Sequence, residues 1–263
     1  MNDSIPTLWQ IDISHYSEKA RWALAYKGVS HKRRGAPPGA HIPVAMWLTR
    51  GEQQTFPVLV LEGRNVGDST AVIAALEERY PDPPLYPADP EQRSRALALE
   101  DFYDEELGPH TRLLAFNALI GDPERFGEIA VATLPEPMRR AKGLAGAYAR
   151  FYTSTRFGAD GEAAAAQSRA KVLAGLDRLD AELAAADGDY LVGDSFSVAD
   201  LTAAALFYPL VGPDQGPNPG STMPQPFEEF REPLKQRPGY QWVEEMFRRH
   251  RVPDGAAAVA QPA

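Results

Sequence analysis

The chain has 263 residues, 44% of them hydrophobic and 24% charged, which is typical of a globular protein with one large or two modest domains. Its net charge of −9 argues against nucleic acid as the main partner, because nucleic-acid-binding domains carry clustered Lys and Arg. The sequence contains no cysteine, so disulfides, thiolate metal sites and a protein-borne thiol nucleophile are excluded. Any thiol chemistry must therefore come from a bound thiol.

Local composition gives no sign of a membrane segment, a signal peptide or a metal site. No stretch approaches about 18 consecutive apolar residues, the length that a membrane-spanning helix needs. The N-terminus has no apolar signal-peptide core, so we expect a cytoplasmic protein. The acidic run from Glu100 to Glu106 has no histidine at ligand spacing, and we expect no metal.

The first part of the chain combines short apolar runs with one helical segment. Residues 7–13 alternate in polarity and predict a strand, and residues 18–28 predict a helix that Gly28 ends. Residues 29–34 predict a second strand. A long irregular connection follows, with a short helical piece at 44–48.

A predicted hairpin and helix complete this part. Residues 55–67 carry two apolar runs around a Glu-Gly-Arg-Asn turn. Asp68 or Ser69 is a suitable N-cap for a helix over 71–80, which ends at the proline that follows. Five prolines within 81–90 indicate an inter-domain linker. The predicted order is βαβ followed by ββα.

The remainder of the sequence has helical periodicity. Ser197 and Asp200 form an S-x-x-D capping box at the start of one helix. A loop rich in Gly and Pro spans 211–226, and residues 253–263 predict a flexible tail. The predicted helices cover 91–120, 136–157, 162–186, a segment that starts after Phe196, 227–234 and 238–250.

The order of elements and a set of local motifs resemble the cytosolic glutathione transferases over roughly residues 5–250. The motifs are a strand-to-helix turn at Ser14–Arg21, a cis-proline loop at Thr55–Leu59, an acidic-Ser motif at Asp68–Val72 and the capping box. Each motif is weak alone, but the ordered set at this spacing is a strong signal.

The resemblance implies both an architecture and an activity. Residues 5–82 would form an α/β thioredoxin-like domain that binds glutathione, residues 83–90 a linker, and residues 91–252 an all-α helical domain. Glutathione would be the co-substrate, activated for attack on a small hydrophobic electrophile, and the protein would be a homodimer. The alternatives are a glutathione-dependent isomerase, a non-catalytic binding module of this fold, and an enzyme that uses another small thiol.

The thiol-activating residue is predicted in the turn before the first helix. Ser14 precedes a helix N-terminus, where unpaired N–H groups and the helix dipole lower the pKa of a bound thiol. The resemblance places Ser14 at the catalytic serine of zeta- and theta-like members. The turn departs from the zeta pattern at His15-Tyr16, so the hydroxyls of Tyr16 and Ser17 are alternates. A helix cap without a catalytic role is the other interpretation.

The resemblance also assigns a set of glutathione-binding residues. A cis Phe56–Pro57 bond would present the Phe56 backbone to the cysteinyl part of the tripeptide, and an ordinary edge-strand proline is the alternative. Asp68 offers a carboxylate to the ammonium group, and Ser69 offers its hydroxyl and N–H to the carboxylate. A plain N-cap would use the same two residues. The predicted set is Arg50, Gln54, Phe56, Pro57, Val58, Asp68 and Ser69.

Aromatic and histidine residues of the predicted helices are candidates for the second-substrate pocket. Phe116 and Tyr152 are among the aromatic residues of these helices, and packing in the core is the alternative interpretation for the aromatic set. His15 and His110 are candidates for acid–base work near neutral pH. The predicted pocket residues are Tyr103, His110 and Tyr148.

Overall fold

The structure, a computed structural model, describes residues 5–36, 40–131, 140, 142–217 and 222–251. The predicted tail at 253–263 lies outside these residues, as does most of the first turn and a half of the helix predicted at 136–157. Within the described ranges, no helix is long and apolar enough to cross a bilayer.

A four-stranded mixed sheet and its helices form the N-terminal part, in the predicted βαβ–ββα order. The elements are β1 (Thr7–Gln10), α1 (His15–Tyr26), β2 (Lys32–Gly35), α2 (His41–Leu48), β3 (Val58–Leu61), β4 (Arg64–Gly67) and α3 (Ser69–Arg79). The strand order is β2-β1-β3-β4, with β1 parallel to β2 and β3 antiparallel to both β1 and β4. This arrangement confirms the predicted thioredoxin-like fold class.

Strand β1 is shorter than the predicted 7–13. It ends at Gln10, and the Ser14 N–H then donates to the Ile11 carbonyl at 3.0 Å. This tight turn brings Ser14 to the N-cap of α1 directly after the strand. The turn therefore places the start of α1 at the end of the sheet.

The C-terminal part is helical throughout. Its elements are α4 (Pro90–Phe102), a π-helical segment (Tyr103–Leu107), α5 (Gly108–Ile120), α6 (Pro123–Val131), α7 (Lys142–Phe157), α8 (Glu162–Ala185), α9 (Val198–Val211), α10 (Gln225–Arg231), a 3-10 segment (Glu232–Gln236) and α11 (Pro238–His250). The sequence analysis did not predict α6, and it treated residues 91–120 as one continuous helix.

The π-helical segment has a local cause in Gly108-Pro109. The Gly108 N–H donates to the Tyr103 carbonyl, five residues back. In that register the next carbonyl, that of Asp104, would pair with residue 109, which is a proline without an N–H. The Asp104 carbonyl is thus left free for a partner outside the helix, and Tyr16 supplies that partner from α1.

Helix α9 is the centre of the helical part and is almost completely buried. Its capping box forms as predicted: the Asp200 carboxylate accepts hydrogen bonds from the Ser197 N–H and hydroxyl, each at 2.8 Å. The same carboxylate accepts the Leu191 N–H at 2.8 Å. Because Asp200 is fully buried, these three donors replace the water that a carboxylate otherwise requires.

Helix α1 is held between the sheet and the last helix. Its fully buried Glu18 forms ion pairs with Arg21, at 2.7 Å, and with Arg251. The Trp22 indole N–H donates to the His250 carbonyl at 3.0 Å. These contacts fix α1 against the C-terminal part, so both parts of the chain determine the position of its N-terminus.

Candidate active site

A cavity of about 560 Å³ lies between the N-terminus of α1 and the helical part. The sheet side contributes the turn before α1, the loop before β3 and the start of α3. The helical side contributes the π-helical segment and helices α5, α7 and α9. Residues on its wall include Ser14, His15, Tyr16, Phe56, Pro57, Asp68, Ser69, Asp104, Arg112, Phe116 and Tyr152.

Ser14 lies on this wall at the N-cap of α1. Its Oγ accepts the Ser17 N–H at 3.2 Å, and the described residues provide no acceptor for its own hydroxyl proton. The N–H groups of His15 and Tyr16, in the first turn, have no carbonyl partner within the helix. Ser14 therefore combines an available O–H donor with the partial positive charge of a helix N-terminus.

The other two hydroxyls of the turn are less available to a bound thiol, because one donates to a carbonyl and the other is buried away from the cavity wall. The Tyr16 hydroxyl donates to the Asp104 carbonyl at 2.8 Å, and burial raises the pKa of this phenol. A β-carbon at Gly108 would overlap the Tyr16 hydroxyl, so this contact requires glycine there. Ser17 is fully buried and accepts the Ile11 N–H at 3.2 Å. The geometry thus favours Ser14 over both alternates.

His15 is a neutral structural donor. Its Nε2 lies 2.8 Å from the Gly108 carbonyl oxygen, an acceptor, so this nitrogen carries the proton. Burial, and then the nearby charge of Arg112, lowers the pKa of His15 from 6.5 to about 3. An imidazolium is therefore unavailable at this position near neutral pH.

Asp68 and Ser69 lie together on the cavity wall at the start of α3. Asp68 is the N-cap, and its Oδ1 accepts the N–H groups of Thr70 and Ala71 at 2.9 and 3.2 Å. Its φ of 75° is uncommon for a residue other than glycine, and such strain is concentrated at functional sites. No described residue donates a hydrogen bond to the second carboxylate oxygen of Asp68.

The loop before β3 contributes part of its predicted set to the cavity. The Phe56–Pro57 bond is cis, as the resemblance implies, and both residues line the wall. Val58 is fully buried inside the sheet and does not reach the cavity. Arg50 and Gln54 are exposed and also lie outside it.

The three predicted pocket residues do not meet at this cavity. Tyr103 belongs to the π-helical segment and is fully buried in the core. His110 contacts Ser168 on α8 at 3.0 Å, and Tyr148 lies on an exposed face of α7. Helix rotation decides this outcome, since Phe116 and Tyr152, from the same helices α5 and α7, do line the cavity.

Arg112 on α5 is a cavity residue that the sequence analysis missed. Its guanidinium lies 4.5 Å from the centroid of the Phe157 ring, and its Nε is buried without a hydrogen-bond partner. Among the described residues no carboxylate forms an ion pair with it, and burial lowers its pKa. The sequence did hold a signal, because no acidic residue stands three or four positions from Arg112 on its helix.

A buried charge network lies next to the start of α3. The Lys19 ammonium contacts Glu100 at 2.8 Å, Asp104 at 2.5 Å and the Thr70 hydroxyl at 2.9 Å. The Thr70 hydroxyl donates to the same Asp104 carboxylate at 2.6 Å. This network joins α1, α3, α4 and the π-helical segment.

Comparison with known sequences identifies the family. Residues 8–84 match the model described as "Glutathione S-transferase, N-terminal domain", and residues 162–231 match "Glutathione S-transferase, C-terminal domain". Together the two matches span more than half of the chain. The chain therefore belongs to the cytosolic glutathione transferase superfamily, and it is a glutathione transferase-type enzyme.

Individual relatives agree with this assignment. A probable maleylacetoacetate isomerase of Caenorhabditis elegans is 24% identical over 208 residues, which are 79% of this chain and 80% of the relative. A bacterial zeta-class maleyl pyruvate isomerase shares the fold with a TM-score of 0.60 and 24% identity, over 95% of this chain and 100% of the other. A Methylobacterium radiotolerans glutathione S-transferase, in complex with glutathione sulfonate, has a TM-score of 0.53 and 22% identity over 90% and 92% of the two chains.

The low pKa of His15 predicts a pH-dependent stability. The folded protein keeps His15 neutral down to about pH 3, whereas the unfolded chain protonates it near 6.5. Stability should therefore fall as pH decreases below 6.5, by up to about 1.4 kcal/mol per pH unit from this residue. His15→Gln keeps an N–H donor for the Gly108 carbonyl but cannot be protonated, so urea unfolding should show a shallower acid slope for the variant. Parallel slopes would contradict this assignment.

Proposed function

We propose that the chain binds glutathione in this cavity and activates its thiol at Ser14 for attack on a small electrophile. The observation that carries the proposal is the Ser14 hydroxyl at the N-terminus of α1, whose proton has no acceptor among the described residues and which shares a cavity wall with Phe56, Asp68 and Ser69. The glutathione sulfonate complex of the Methylobacterium radiotolerans relative supports the choice of thiol. Dimerisation is typical of the family, and we propose a homodimer.

The chemistry follows from the charges around Ser14. A thiol with a free pKa of about 8.5 loses its proton more readily beside a helix N-terminus, because the thiolate gains favourable electrostatics there. The Ser14 O–H then donates to the thiolate. The thiolate forms a carbon–sulfur bond with the electrophile, and either a leaving group departs with the electron pair or the adduct takes up a proton.

The remaining parts of the tripeptide have chemically suited partners. The free oxygen of Asp68 would pair with the γ-glutamyl ammonium group, and the Ser69 hydroxyl and N–H with its carboxylate. The Phe56 backbone would meet the cysteinyl peptide group. Gln54 and Arg50 remain candidates for the glycyl carboxylate from their exposed positions before β3.

Replacing one charge at the site tests the glutathione assignment. Asp68→Asn retains an N-cap oxygen for α3 but removes the charge that would pair with the ammonium group. We expect the Kd for glutathione, measured by isothermal titration calorimetry, to rise about tenfold, or ~1.4 kcal/mol. Asp89→Asn is the matched control, because Asp89 caps α4 in the same way outside the cavity. No binding of glutathione to the wild-type protein would overturn the proposal.

The role of Ser14 is tested through the pKa of the bound thiol. Ser14→Ala should raise this pKa by about one unit, or ~1.4 kcal/mol, and slow conjugation of a generic aryl halide at least about tenfold. Ser14→Thr should retain most of the effect because it keeps a hydroxyl. The measurement is thiolate ultraviolet absorbance against pH, with thermal unfolding to account for the lost helix cap. An unchanged pKa in Ser14→Ala would transfer the role to the backbone N–H groups.

A second candidate function, glutathione-dependent isomerisation of an unsaturated carboxylate, is favoured by Arg112. This guanidinium lacks a carboxylate partner among the described residues and lies close to His15 and Tyr16 in the thiol-binding turn. Two relatives carry names that denote isomerases of maleyl compounds. A substrate carboxylate would complete the missing ion pair and place an adjacent double bond near the thiol.

Isomerisation uses the same activated thiol without consuming it. The thiolate adds to one carbon of the double bond, and the bond between the two carbons can then rotate. Elimination breaks the carbon–sulfur bond, restores the double bond in its other geometry and releases the thiolate. Glutathione concentration is therefore constant during isomerisation and falls during conjugation, which separates the two functions.

The Arg112→Met variant tests whether Arg112 recognises a substrate carboxylate, which isomerisation requires and conjugation of a neutral substrate does not. We expect kcat/KM for a cis-unsaturated carboxylate to fall by about 30-fold or more, ~2 kcal/mol, and that for a neutral aryl halide to change little. Arg231→Met is the matched control, because Arg231 also lines the cavity but is paired with Glu228. Stability should not decrease in Arg112→Met, since no described residue forms an ion pair with Arg112 that the substitution would remove. Equal losses for both substrates would refute carboxylate recognition.

A further inference from the structure

Exposed apolar side chains are concentrated on helices α2 and α7. Among the described residues, six large hydrophobic side chains are exposed, and five of them lie on these two helices, the sixth being Ile5. The five are Met46 and Trp47 on α2, and Leu144, Tyr148 and Phe151 on α7. Trp47 is 77% exposed and Leu144 is 79% exposed. Apolar residues clustered in this way indicate an interaction site, whereas single exposed ones are ordinary.

The three residues of α7 form one stripe along the helix. Leu144, Tyr148 and Phe151 are four and then three positions apart, which is the spacing of neighbours on one helix face. The inner face of α7 is buried through Ala149 and Thr153, so the outer stripe is not needed for packing within the described chain. The helix also lies between the two matched family regions, 8–84 and 162–231.

Helix α2 adjoins this stripe. The Tyr148 ring stacks on Tyr152 with the centroids 6.3 Å apart, and the Tyr152 hydroxyl lies 3.3 Å from Nε2 of His41. His41 is the first residue of α2, so Met46 and Trp47 lie within two turns of this contact. We refer to the five exposed side chains together as the apolar patch: Met46, Trp47, Leu144, Tyr148 and Phe151.

The sequence around the apolar patch is basic, although the chain as a whole has a net charge of −9. Residues 136–159, which include α7, contain five Lys or Arg and no Asp or Glu. Residues 31–51, which include β2 and α2, contain four Lys or Arg and likewise no Asp or Glu. Exposed members of the two segments are Lys32–Arg34, Arg140 and Arg150. These cations suit a partner of negative charge.

Carboxylates limit the basic surface on the side of helix α6. This helix packs on α7 and carries the exposed Glu124 and Glu128. The positive charge therefore belongs to β2, α2 and α7, the elements that carry or adjoin the apolar patch.

We propose that the apolar patch docks on an anionic lipid surface. Aromatic and aliphatic side chains flanked by Lys and Arg are typical of peripheral membrane anchors, because the rings enter the headgroup region and the cations pair with acidic lipids. A second copy of the chain fits less well, since a two-fold contact through α7 would bring the Arg150 side chains of both copies together. The inference is independent of the proposed function, because neither Ser14 nor a thiol takes part.

Docking through α7 would also place the main cavity near the lipid. Tyr152 and Phe157 of this helix line that cavity, while Leu144, Tyr148 and Phe151 are exposed on its surface. The two sets are separated by no more than the diameter of a helix, ~10 Å.

Co-sedimentation with large unilamellar vesicles tests the inference on the full chain without glutathione. The probes are vesicles of phosphatidylcholine alone and vesicles of phosphatidylcholine and phosphatidylglycerol in equal parts. We expect the anionic vesicles to bind at least about 25-fold more tightly at low salt, because each Lys or Arg near an anionic surface contributes about fivefold. The preference should decrease as salt is added. Equal binding to both vesicles, or binding to neither, would overturn the inference.

Substitutions on α7 connect vesicle binding to the apolar patch. Leu144→Ser/Phe151→Ser should weaken binding to anionic vesicles at least about tenfold, because two apolar side chains no longer enter the lipid. Arg150→Glu reverses one charge and should weaken it about 25-fold. Arg169→Glu, on an exposed arginine of α8, is the matched control with the same change in net charge and should bind like wild type. Equal losses in Arg150→Glu and Arg169→Glu would contradict docking through α7.

Two further measurements report on α2 and on self-association. Trp47 is the exposed one of the four tryptophans, so anionic vesicles should shift its emission to the blue. Trp47→Leu keeps an apolar side chain and should abolish the shift; a shift that persists would remove α2 from the proposed surface. Analytical ultracentrifugation without lipid covers the other occupant. A dimer that Leu144→Ser/Phe151→Ser dissociates would assign the apolar patch to a second copy and overturn lipid docking.

Discussion

The contact between the N-terminus of α1 and the π-helical segment determines the geometry of the site. Because Pro109 lacks an N–H, the π register leaves the Asp104 carbonyl unpaired, and the Tyr16 hydroxyl occupies it. His15 donates to the Gly108 carbonyl at the start of α5. Two side chains of α1 are thereby bound to the helical part, and Ser14 lies at the cavity with no acceptor for its hydroxyl proton among the described residues.

The same contact organises charge across the cavity. Lys19 pairs with Glu100 and Asp104 next to Thr70 at the start of α3, the helix that Asp68 caps. Arg112 lies near His15 and Tyr16 without a carboxylate partner among the described residues. In the proposed function, Asp68 would pair with the ammonium group of glutathione, and Arg112 would pair with a substrate carboxylate.

Burial lowers the pKa of His15, the residue of the turn for which the sequence suggested acid–base work near neutral pH. A histidine in a catalytic turn is an obvious candidate for proton transfer, yet His15 is enclosed and lies near a positive guanidinium. Both effects favour the neutral ring. His15 holds the turn through its hydrogen bond to the Gly108 carbonyl. In the proposed function, the positive end of α1 and the Ser14 hydroxyl would be the groups that stabilise the thiolate.

The sequence by itself determined the βαβ–ββα order of the N-terminal part, the resemblance to the family, and Ser14, Asp68 and Ser69 as candidate residues. These features are local: strand alternation, helix caps and the motif spacing depend on neighbouring residues. Glycine and proline residues also predicted the hairpin turn and the linker. The sequence did not decide whether Arg50, Gln54 and Val58 reach the cavity. Nearness in sequence to Phe56 does not place a side chain on the cavity wall, and these three lie outside it.

Only the tertiary structure decided which helical side chains reach the cavity. Tyr103, His110 and Tyr148 share helices with Phe116 and Tyr152 or directly precede them, but rotation of those helices sends the first three elsewhere. The π-helical segment shifts the register between α4 and α5, and helical periodicity over 91–120 did not predict it. Arg112 became a candidate binding residue only in the folded structure, because the lack of a nearby carboxylate among the described residues depends on packing between distant segments.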